Sequence, residues 1–347
     1  MIPNGKARAA IGDVAALAGV SLGTVSNVLN HPDRVSATTR EKVERAMTML
    51  DYEPNRLARS LAAGASPTLG LVVTDLTNSL FIDIARGAER VADRSELAVL
   101  LANSDGRLER EARHLRMFAQ TRVAGILMTL NDAAHFAAIA RLAPTSVPVV
   151  MLNFDAPTTQ FCSVSVDNHL GGAIATRHLL DLGRRRIVFV GGPGILRPVQ
   201  DRAAGFHQVM REAGVEPVAE IAPNGVNRAD GWRVGRELVP AIRRGEVDGI
   251  VAASDLLAAG VVQAVTSAGD LSIPDHVAIV GYDNNQAAWD SPIPITTVSQ
   301  PGERIGELGA QIALGGCGAD HDHRSHVLEP ALVVRQTTTG AAPAPMH

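Results

Sequence analysis

Cysteine is scarce in this chain. Cys162 and Cys317 are the two among 347 residues, enough for one bridge and too few for a tetrahedral metal site of their own, so structural thiols are expected. No stretch approaches the roughly 20 apolar residues of a membrane helix, and no membrane partner is expected. The N-terminal stretch MIPNGKARAAIGDVA has no apolar core followed by a small-residue cleavage site, so the expected location is cytoplasmic. The segment GGPGILR (191–197) lacks the third glycine of a dinucleotide loop and the Lys-Ser/Thr of a phosphate loop, which argues against a nucleotide cofactor. No Ser/His/Asp or Cys/His set can be picked out by spacing; the chain is expected to be no enzyme and to need no cofactor. What is present is an apolar fraction of 46% with 20% charged residues, the balance of an ordinary globular protein, at a length that suggests two or three domains.

Charge is unevenly spread. Residues 1–65 carry a net +2, while the remainder carries −6, and the whole-chain value of −4 conceals the difference. A basic head on an acidic body fits a small polyanion-binding module attached to something else.

The head has helical patterns and no strand signal. Ile11, Val14, Ala15 and Ala18 share one helical face, Gly19 ends that helix, and Ser21 is placed to cap the next, where Val25, Val28 and Leu29 repeat the stripe. A third helix is predicted from Ala37 to Leu50, with Val43, Ala46, Met47 and Leu50 inward. From Leu69 onward, short aliphatic runs alternate with helical segments: 69–74, 97–102, 125–128, 147–152, 186–190, 249–253 and 277–282. Strands apolar on both faces and joined by helices indicate parallel sheets covered on both sides, the doubly wound arrangement. Their distribution divides the body into two similar subdomains.

The segment AGVSLGTVSNVLN (18–30) has the properties of a helix-turn-helix. Its second helix presents Leu22, Gly23, Thr24, Ser26 and Asn27 opposite the apolar stripe. Such a helix can enter a major groove, with Leu22 against a thymine methyl and Asn27 bidentate to adenine. Spacing alone leaves an ordinary helical hairpin equally open. In the body, polar residues follow strand ends, where open parallel sheets bind ligands: Asp75, Asn103, Asn153, Ser254, Asp255 and Asp283. Contributions from both halves imply a cleft between subdomains. The tract HDHRSH (321–326) is expected to be a solvated loop before the last strand, with no metal site, since no cysteine pairing or helical spacing supports one.

Four blocks in order resemble the lactose repressor (LacI/GalR) family of bacterial transcription regulators: DVAALAGVS (13–21), TVSNVLN (24–30), VSATTREKV (35–43) and YEPNRLARSL (52–61). The body agrees through DLTNSLF (75–81), VDNHLGG (166–172), HLLDLGRRRI (178–187), RAAGF (202–206), GYDN (281–284) and TTVSQP (296–301). Ala10 and Gly12 stand where the family usually has Thr and a longer polar residue, and Asn27 replaces a more frequent Arg, which implies a different operator. The resemblance implies an N-terminal all-α helix-turn-helix domain and an α/β periplasmic-binding-protein-like effector domain of two doubly wound parallel-sheet subdomains. DNA-binding residues are then Ser21, Leu22, Gly23, Thr24, Ser26, Asn27 and Asn30, with Asn55, Arg56, Ala58, Arg59 and Leu61 in a hinge. That hinge is too short to stay helical alone and in the family folds in the minor groove, with Leu61 as the apolar wedge and Arg56 and Arg59 near phosphates. Without the resemblance it reads as a plain linker. Arg202 matches the arginine that family members aim at effector hydroxyls or carboxylates, and Phe81 and Trp232 match residues that stack on a sugar or base. Effector residues are thus Asp75, Phe81, Asn153, Arg202, Trp232, Ser254 and Asp283, with Asn103, Asp255 and Trp289 behind them.

The expected layout is a DNA-binding domain at 1–54, hinge and linker at 55–67, an effector and dimerisation domain at 68–340 and a tail at 341–347. Within the effector domain, 68–165 plus a crossover near 285–300 forms one subdomain and 166–284 plus 301–338 the other. The implied partners are a near-palindromic double-stranded DNA operator, a second copy of the chain and a small effector, a sugar or sugar derivative. A purine- or metabolite-responsive co-repressed regulator and a solute-binding protein without DNA affinity are the alternatives. Residues after 337 lack the apolar heptads of a tetramerising coiled coil, so a dimer is expected.

Overall fold

A computed structural model describes residues 9–30, 34–52, 66–158, 160–315 and 321–340. The chain divides into two compact units, one ending at Ser66 and the other starting at Pro67. The hinge residues Asn55, Arg56, Ala58, Arg59 and Leu61, and the tail at 341–347, lie outside the described residues.

In the first unit, α1 (Ile11–Ala18), α2 (Leu22–Asn30) and α3 (Ala37–Met49) follow the expected pattern. Gly19 ends α1 at φ +68°, a left-handed conformation that glycine takes without a Cβ penalty. Ser21 Oγ accepts the Thr24 amide at 3.1 Å, and Ser36 Oγ caps α3 by accepting the Thr39 amide at 3.3 Å. The chain bends by 104° between α1 and α2, within the range of helix-turn-helix corners. Val14, Ala15, Val25, Val28, Val43 and Ala46 form the small core.

The second unit alternates strand and helix. It runs β1 (Ser66–Val73), α4 (Leu80–Arg94), β2 (Ala98–Asn103), α5 (Leu108–Gln120), β3 (Val123–Thr129), α6 (Ala133–Leu142), β4 (Val149–Leu152) and β5 (Cys162–Val166). There follow α7 (Asn168–Asp181), β6 (Ile187–Val190), α8 (Arg197–Glu212), β7 (Ala219–Ile221), α9 (Arg228–Arg243), β8 (Gly249–Ala252), α10 (Asp255–Ser267), β9 (Ala278–Asp283), α11 (Gln286–Trp289) and β10 (Thr296–Ser299). The chain ends in α12 (Gly302–Leu314), β11 (Ser325–Leu328), β12 (Ala331–Val333) and α13 (Gln336–Thr339).

Two six-stranded sheets result, ordered β11-β5-β4-β3-β1-β2 and β12-β10-β9-β8-β6-β7. The β1–β2, β3–β4, β4–β5 and β5–β11 pairs are parallel, while β12 lies antiparallel on β10. Strand alternation feeds two cores in the first half: Leu69, Leu71 and Val73 face one side, with Leu127, Val150 and Leu152, and Val72, Ile126, Met128 and Met151 face the other. Both sides are apolar because helices cover both. Among the described residues, no helix is long and apolar enough to cross a membrane.

The C-terminal segments up to Leu328 lie opposite to the expected assignment. Residues 296–299 form β10, registered on β9 with Thr297 beside Gly281, so the 285–300 segment belongs to the second half. Helix α12 instead covers the first sheet, where Ile305, Ala310 and Ala313 join the core of Leu69 and Leu71. β11 extends that sheet beside β5, and only β12 and α13 return to the second. The chain therefore crosses between halves three times, after Val166, after Ser299 and after Leu328.

Candidate functional site

A cavity of about 380 Å³ lies between the C-terminal ends of the two sets of strands, a size suited to a small ligand. It is lined by Thr74, Asp75, Asn78, Phe81, Asp105, Asn131 and Asn153 from the first half, and by Leu196, Pro198, Val199, Arg202, Val226, Ser254 and Asp283 from the second. Gln300, at the second crossing, completes it. Both rims are joined. Asn78 Nδ2 donates to Asp283 Oδ2 at 2.9 Å and Asn285 Nδ2 to Asn78 Oδ1 at 2.9 Å. Elsewhere the Arg197 amide donates to the Asn131 carbonyl at 2.8 Å, beside a bridge between Asp132 and Leu196.

Arg202 projects from α8 and is 5% exposed. Its Nε donates to Asn168 Oδ1 at 2.9 Å and Nη1 to the Ala253 carbonyl at 2.5 Å, while the guanidinium stacks 3.7 Å over the Tyr282 ring. Helix α8 comes this close because α7 carries Gly172 where a Cβ would strike the Arg202 carbonyl. Asp283 Oδ1 lies 3.8 Å from Arg202 Nη1 and accepts from Gln300 Nε2 at 2.6 Å. Burial raises the Asp283 carboxyl above the usual range against the pull of Arg202. Its neighbour Asp255, fully buried, is pushed up further by burial and by the charge of Asp283. Burial also pushes the Tyr282 hydroxyl up to about 12.

Backbone geometry aims two of these groups. Asn153 ends β4 at φ +55°, and Asp283 and Asn284 end β9 at φ +111° and +58°. Asn153 and Asn284 are in the left-handed region that Asn tolerates better than most residues, Asp283 lies beyond it, and such positions cluster at ligand sites. Among the described residues, Asn153 Oδ1 and Gln300 Oε1 are buried acceptors without a hydrogen-bond partner.

Six of the expected effector residues, Asp75, Phe81, Asn153, Arg202, Ser254 and Asp283, line the cavity. Two of them are also occupied locally: Asp75 Oδ1 accepts from the Thr77 amide at 2.8 Å, and Ser254 Oγ caps α10 by accepting the Leu257 amide at 3.2 Å. Trp232 is a correction. It is 38% exposed, outside the lining, with the Arg236 guanidinium 4.9 Å above its ring. The inward face of α9 is set by Gly231, Val234, Gly235 and Leu238, and Trp232 falls on its flank. Asn103 instead donates to Asp105 at 2.5 Å, Asp255 accepts the Asn285 amide at 2.8 Å, and Trp289 lies under Arg335 at 3.8 Å; none lines the cavity. The sequence reading passed over Asn78, Asn131 and Gln300. Asn131 follows β3 as Asn153 follows β4, so the strand-end rule would have reached it; Gln300 follows β10, a strand not expected.

In the first unit, Leu22 at 56% exposure, Gly23 and Asn27 are exposed on α2, and Thr24 and Ser26 are half-buried. Ser21 and Thr24 hydroxyls share a 2.9 Å hydrogen bond. Asn30 ends the helix. This face carries small and polar side chains that can approach base edges.

A second correction concerns the histidine tract. It is not apart from cysteine, because pairing of β11 with β5 brings His321 and His323 to Cys162.

A helix-turn-helix unit carried on one chain with a ligand-sized cavity between two parallel sheets defines a class, the ligand-responsive DNA-binding regulators. Residues 10–55 match the model for bacterial regulatory proteins of the lacI family, and residues 176–338 match the periplasmic binding protein-like domain. The chain is 31% identical over 330 residues to the HTH-type transcriptional repressor PurR of Vibrio campbellii, covering 95% of this chain and 98% of that protein. It is 33% identical over 309 residues to the ribose operon repressor of Escherichia coli K12, covering 87% and 91%. A lac repressor dimer bound to operator and the anti-inducer ONPF superposes with a TM-score of 0.81 at 28% identity, over 95% of this chain and 99% of that one. A transcriptional regulator CelR–cellobiose complex gives 0.69 at 30% identity, over 95% and 100%. The chain belongs to the lacI family of bacterial regulatory proteins. It is a DNA-binding transcriptional regulator with a small-molecule effector domain, and not an enzyme.

Proposed function

We propose that this chain is a cytoplasmic, homodimeric repressor whose affinity for a near-palindromic operator is set by a sugar or sugar derivative held in the cavity. The observation that carries the effector class is the pair of unpartnered buried acceptors, Asn153 Oδ1 and Gln300 Oε1, on residues that line the same cavity as Arg202. A buried acceptor left unpaired costs about 1–3 kcal/mol, and ligand hydroxyls donate to acceptors while accepting from the guanidinium. Sugars offer hydroxyls in several directions. Phe81, the one aromatic side chain among the lining residues, covers one apolar face. That ring favours a second reading, a purine stacked on Phe81. Among the relatives, one solved regulator holds cellobiose and another D-xylulofuranose, while the curated relatives include both PurR and a ribose operon repressor, so both readings have counterparts among them.

The dimer rests on an apolar edge. β2 ends the first sheet, and Leu100 and Leu101 on it are 41% and 43% exposed, with Met117 of α5 at 43%. An exposed edge strand with apolar side chains is a liability unless covered, and a second copy of the same surface covers it with two-fold symmetry. Two heads held by that symmetry match two half-sites, read by Leu22, Gly23, Thr24, Ser26 and Asn27 with Ser21 and Asn30 at the helix ends. The hinge residues Asn55, Arg56, Ala58, Arg59 and Leu61 then complete the operator contact in the minor groove.

Thermal-shift and calorimetric screens against monosaccharides, polyols and purines test the effector, and binding selection with random duplexes tests the head. A sugar is expected to raise the melting temperature, and Arg202→Ala to abolish that shift while operator binding persists. A purine that stabilises the chain where no sugar does replaces the sugar reading. Selection that returns no palindromic site removes the operator assignment.

A further inference from the structure

The start of β5 gathers three ligand-type side chains outside the cavity lining. Cys162, 1% exposed, has its Sγ 3.2 Å from His321 Nε2 and 3.8 Å from His323 Nδ1. All three donor atoms lie within 4.8 Å of one another. The register explains the meeting. Ser325 pairs with Ser163, so the residues running into β11 pass beside the residue just ahead of Ser163. The two histidines stand two apart, the spacing at which an extended chain presents one side.

Their geometry fits one ion. A tetrahedral zinc ion with Zn–S of about 2.3 Å and Zn–N of about 2.0–2.1 Å holds sulfur and nitrogen about 3.5 Å apart, and the observed 3.2 and 3.8 Å bracket that separation. The Arg324 amide points at Cys162 Sγ from 3.5 Å, a donor of the kind that supports a negatively charged ligating sulfur. One thiolate with two imidazoles is a donor set for zinc-class ions, whereas magnesium and calcium take oxygen ligands.

We propose that Cys162, His321 and His323 form a three-ligand site for a zinc-class divalent ion, with the fourth position left to water or an exchangeable ligand. Bound there, the ion ties the edge strand β11 to β5 and so holds the strand that the chain contributes only after leaving the first half and returning. The site is independent of the effector reading, since none of its three residues lines the cavity.

The test uses the full chain, stripped with a chelator and titrated at micromolar concentration with Co²⁺ and then Zn²⁺. One Co²⁺ per chain is expected, with the thiolate-to-cobalt charge-transfer absorption and the strong ligand-field bands of a tetrahedral ion, and one equivalent of Zn²⁺ should bleach both. Cys162→Ser should lose the charge-transfer absorption. His321→Gln and His323→Gln should each weaken zinc binding at least about 10-fold. Zinc should also raise the melting temperature of the native chain and not of these variants. Far-UV circular dichroism checks that each variant folds; should Cys162→Ser not fold, the histidine variants decide. No thiolate absorption at one equivalent of cobalt, or folded variants that bind zinc as tightly as the native chain, overturns the proposal.

Discussion

Asn78 and Asp283, 205 residues apart, are joined by a 2.9 Å hydrogen bond from the Asn78 amide nitrogen to the buried carboxylate. The bond spans the two halves at the cavity wall. Asn78 Oδ1 also accepts from the Leu80 amide at 3.0 Å and from Asn285 at 2.9 Å, so one side chain caps a helix start and fastens the opposite half.

Replacing Asn78 by Ala should therefore act on both folding and closure. Asp283 loses a donor while remaining buried, at a cost of about 1–3 kcal/mol in urea unfolding. Ligand affinity should fall as well, because the arrangement in which both halves line the cavity loses a fastening between them. Calorimetric titration of native chain and variant with the same stabilising sugar measures the second effect.

Asn153→Gly should separate binding from stability. Glycine adopts φ +55° freely, so relief of the backbone offsets the lost side chain, and the unfolding midpoint should change little. The acceptor Oδ1 disappears, and sugar affinity should drop by about 1–3 kcal/mol, or roughly 5- to 150-fold.

Stability should carry the signature of the buried acids. An unfolded Asp titrates near about 3.9, and Asp255 titrates well above this in the native state. Between the two values the native chain holds a proton that the unfolded chain has released, so the contribution of Asp255 to stability falls as pH rises through that window. Asp255→Asn has no such proton and keeps an oxygen for the Asn285 amide. The stability of this variant relative to the native chain should rise from pH 4 upward, as urea unfolding across a pH series would record.

Charging the exposed strand should dissolve the dimer. Leu100→Glu with Leu101→Glu places two carboxylates at the centre of the proposed interface while leaving the two buried cores of the first half untouched. Light scattering should report a single-chain mass at concentrations where the native chain is a dimer. Operator affinity should fall in parallel, because two half-sites are no longer engaged together.

How far the sequence was legible follows hydropathy. The aliphatic strands β1, β2, β3, β4, β6, β8 and β9 stand out, as do the capped helices of the head. β5 and β10 do not, because CSVSV and TTVS are half polar yet buried. Thr296 and Thr297 are fully buried. For Thr296 a later segment supplies the partners: its amide donates to Thr337 Oγ1 at 2.8 Å, and its hydroxyl accepts the Arg335 amide at 2.7 Å. Such satisfaction is invisible in a local window. Missing β10 hid Gln300 and reversed the assignment of most C-terminal segments, and missing β5 left the histidine tract without its cysteine. The lining residues that were found sit at ends of apolar strands or in motif blocks; Trp232 failed because a motif position says nothing about which side of α9 faces the cavity.

The three crossings between the halves bear on how the chain is made. The first sheet is complete only when Leu328 has joined β5, and the second only when Val333 has paired with Thr297. Neither half can finish folding on the ribosome while the other waits, since both need the last strands to emerge. The head, whose three helices close on themselves within the first fifth of the chain, is free to fold long before. A newly made molecule thus has a folded DNA-reading unit ahead of any ligand control, and premature termination after residue 300 would leave that unit attached to two unfinished sheets.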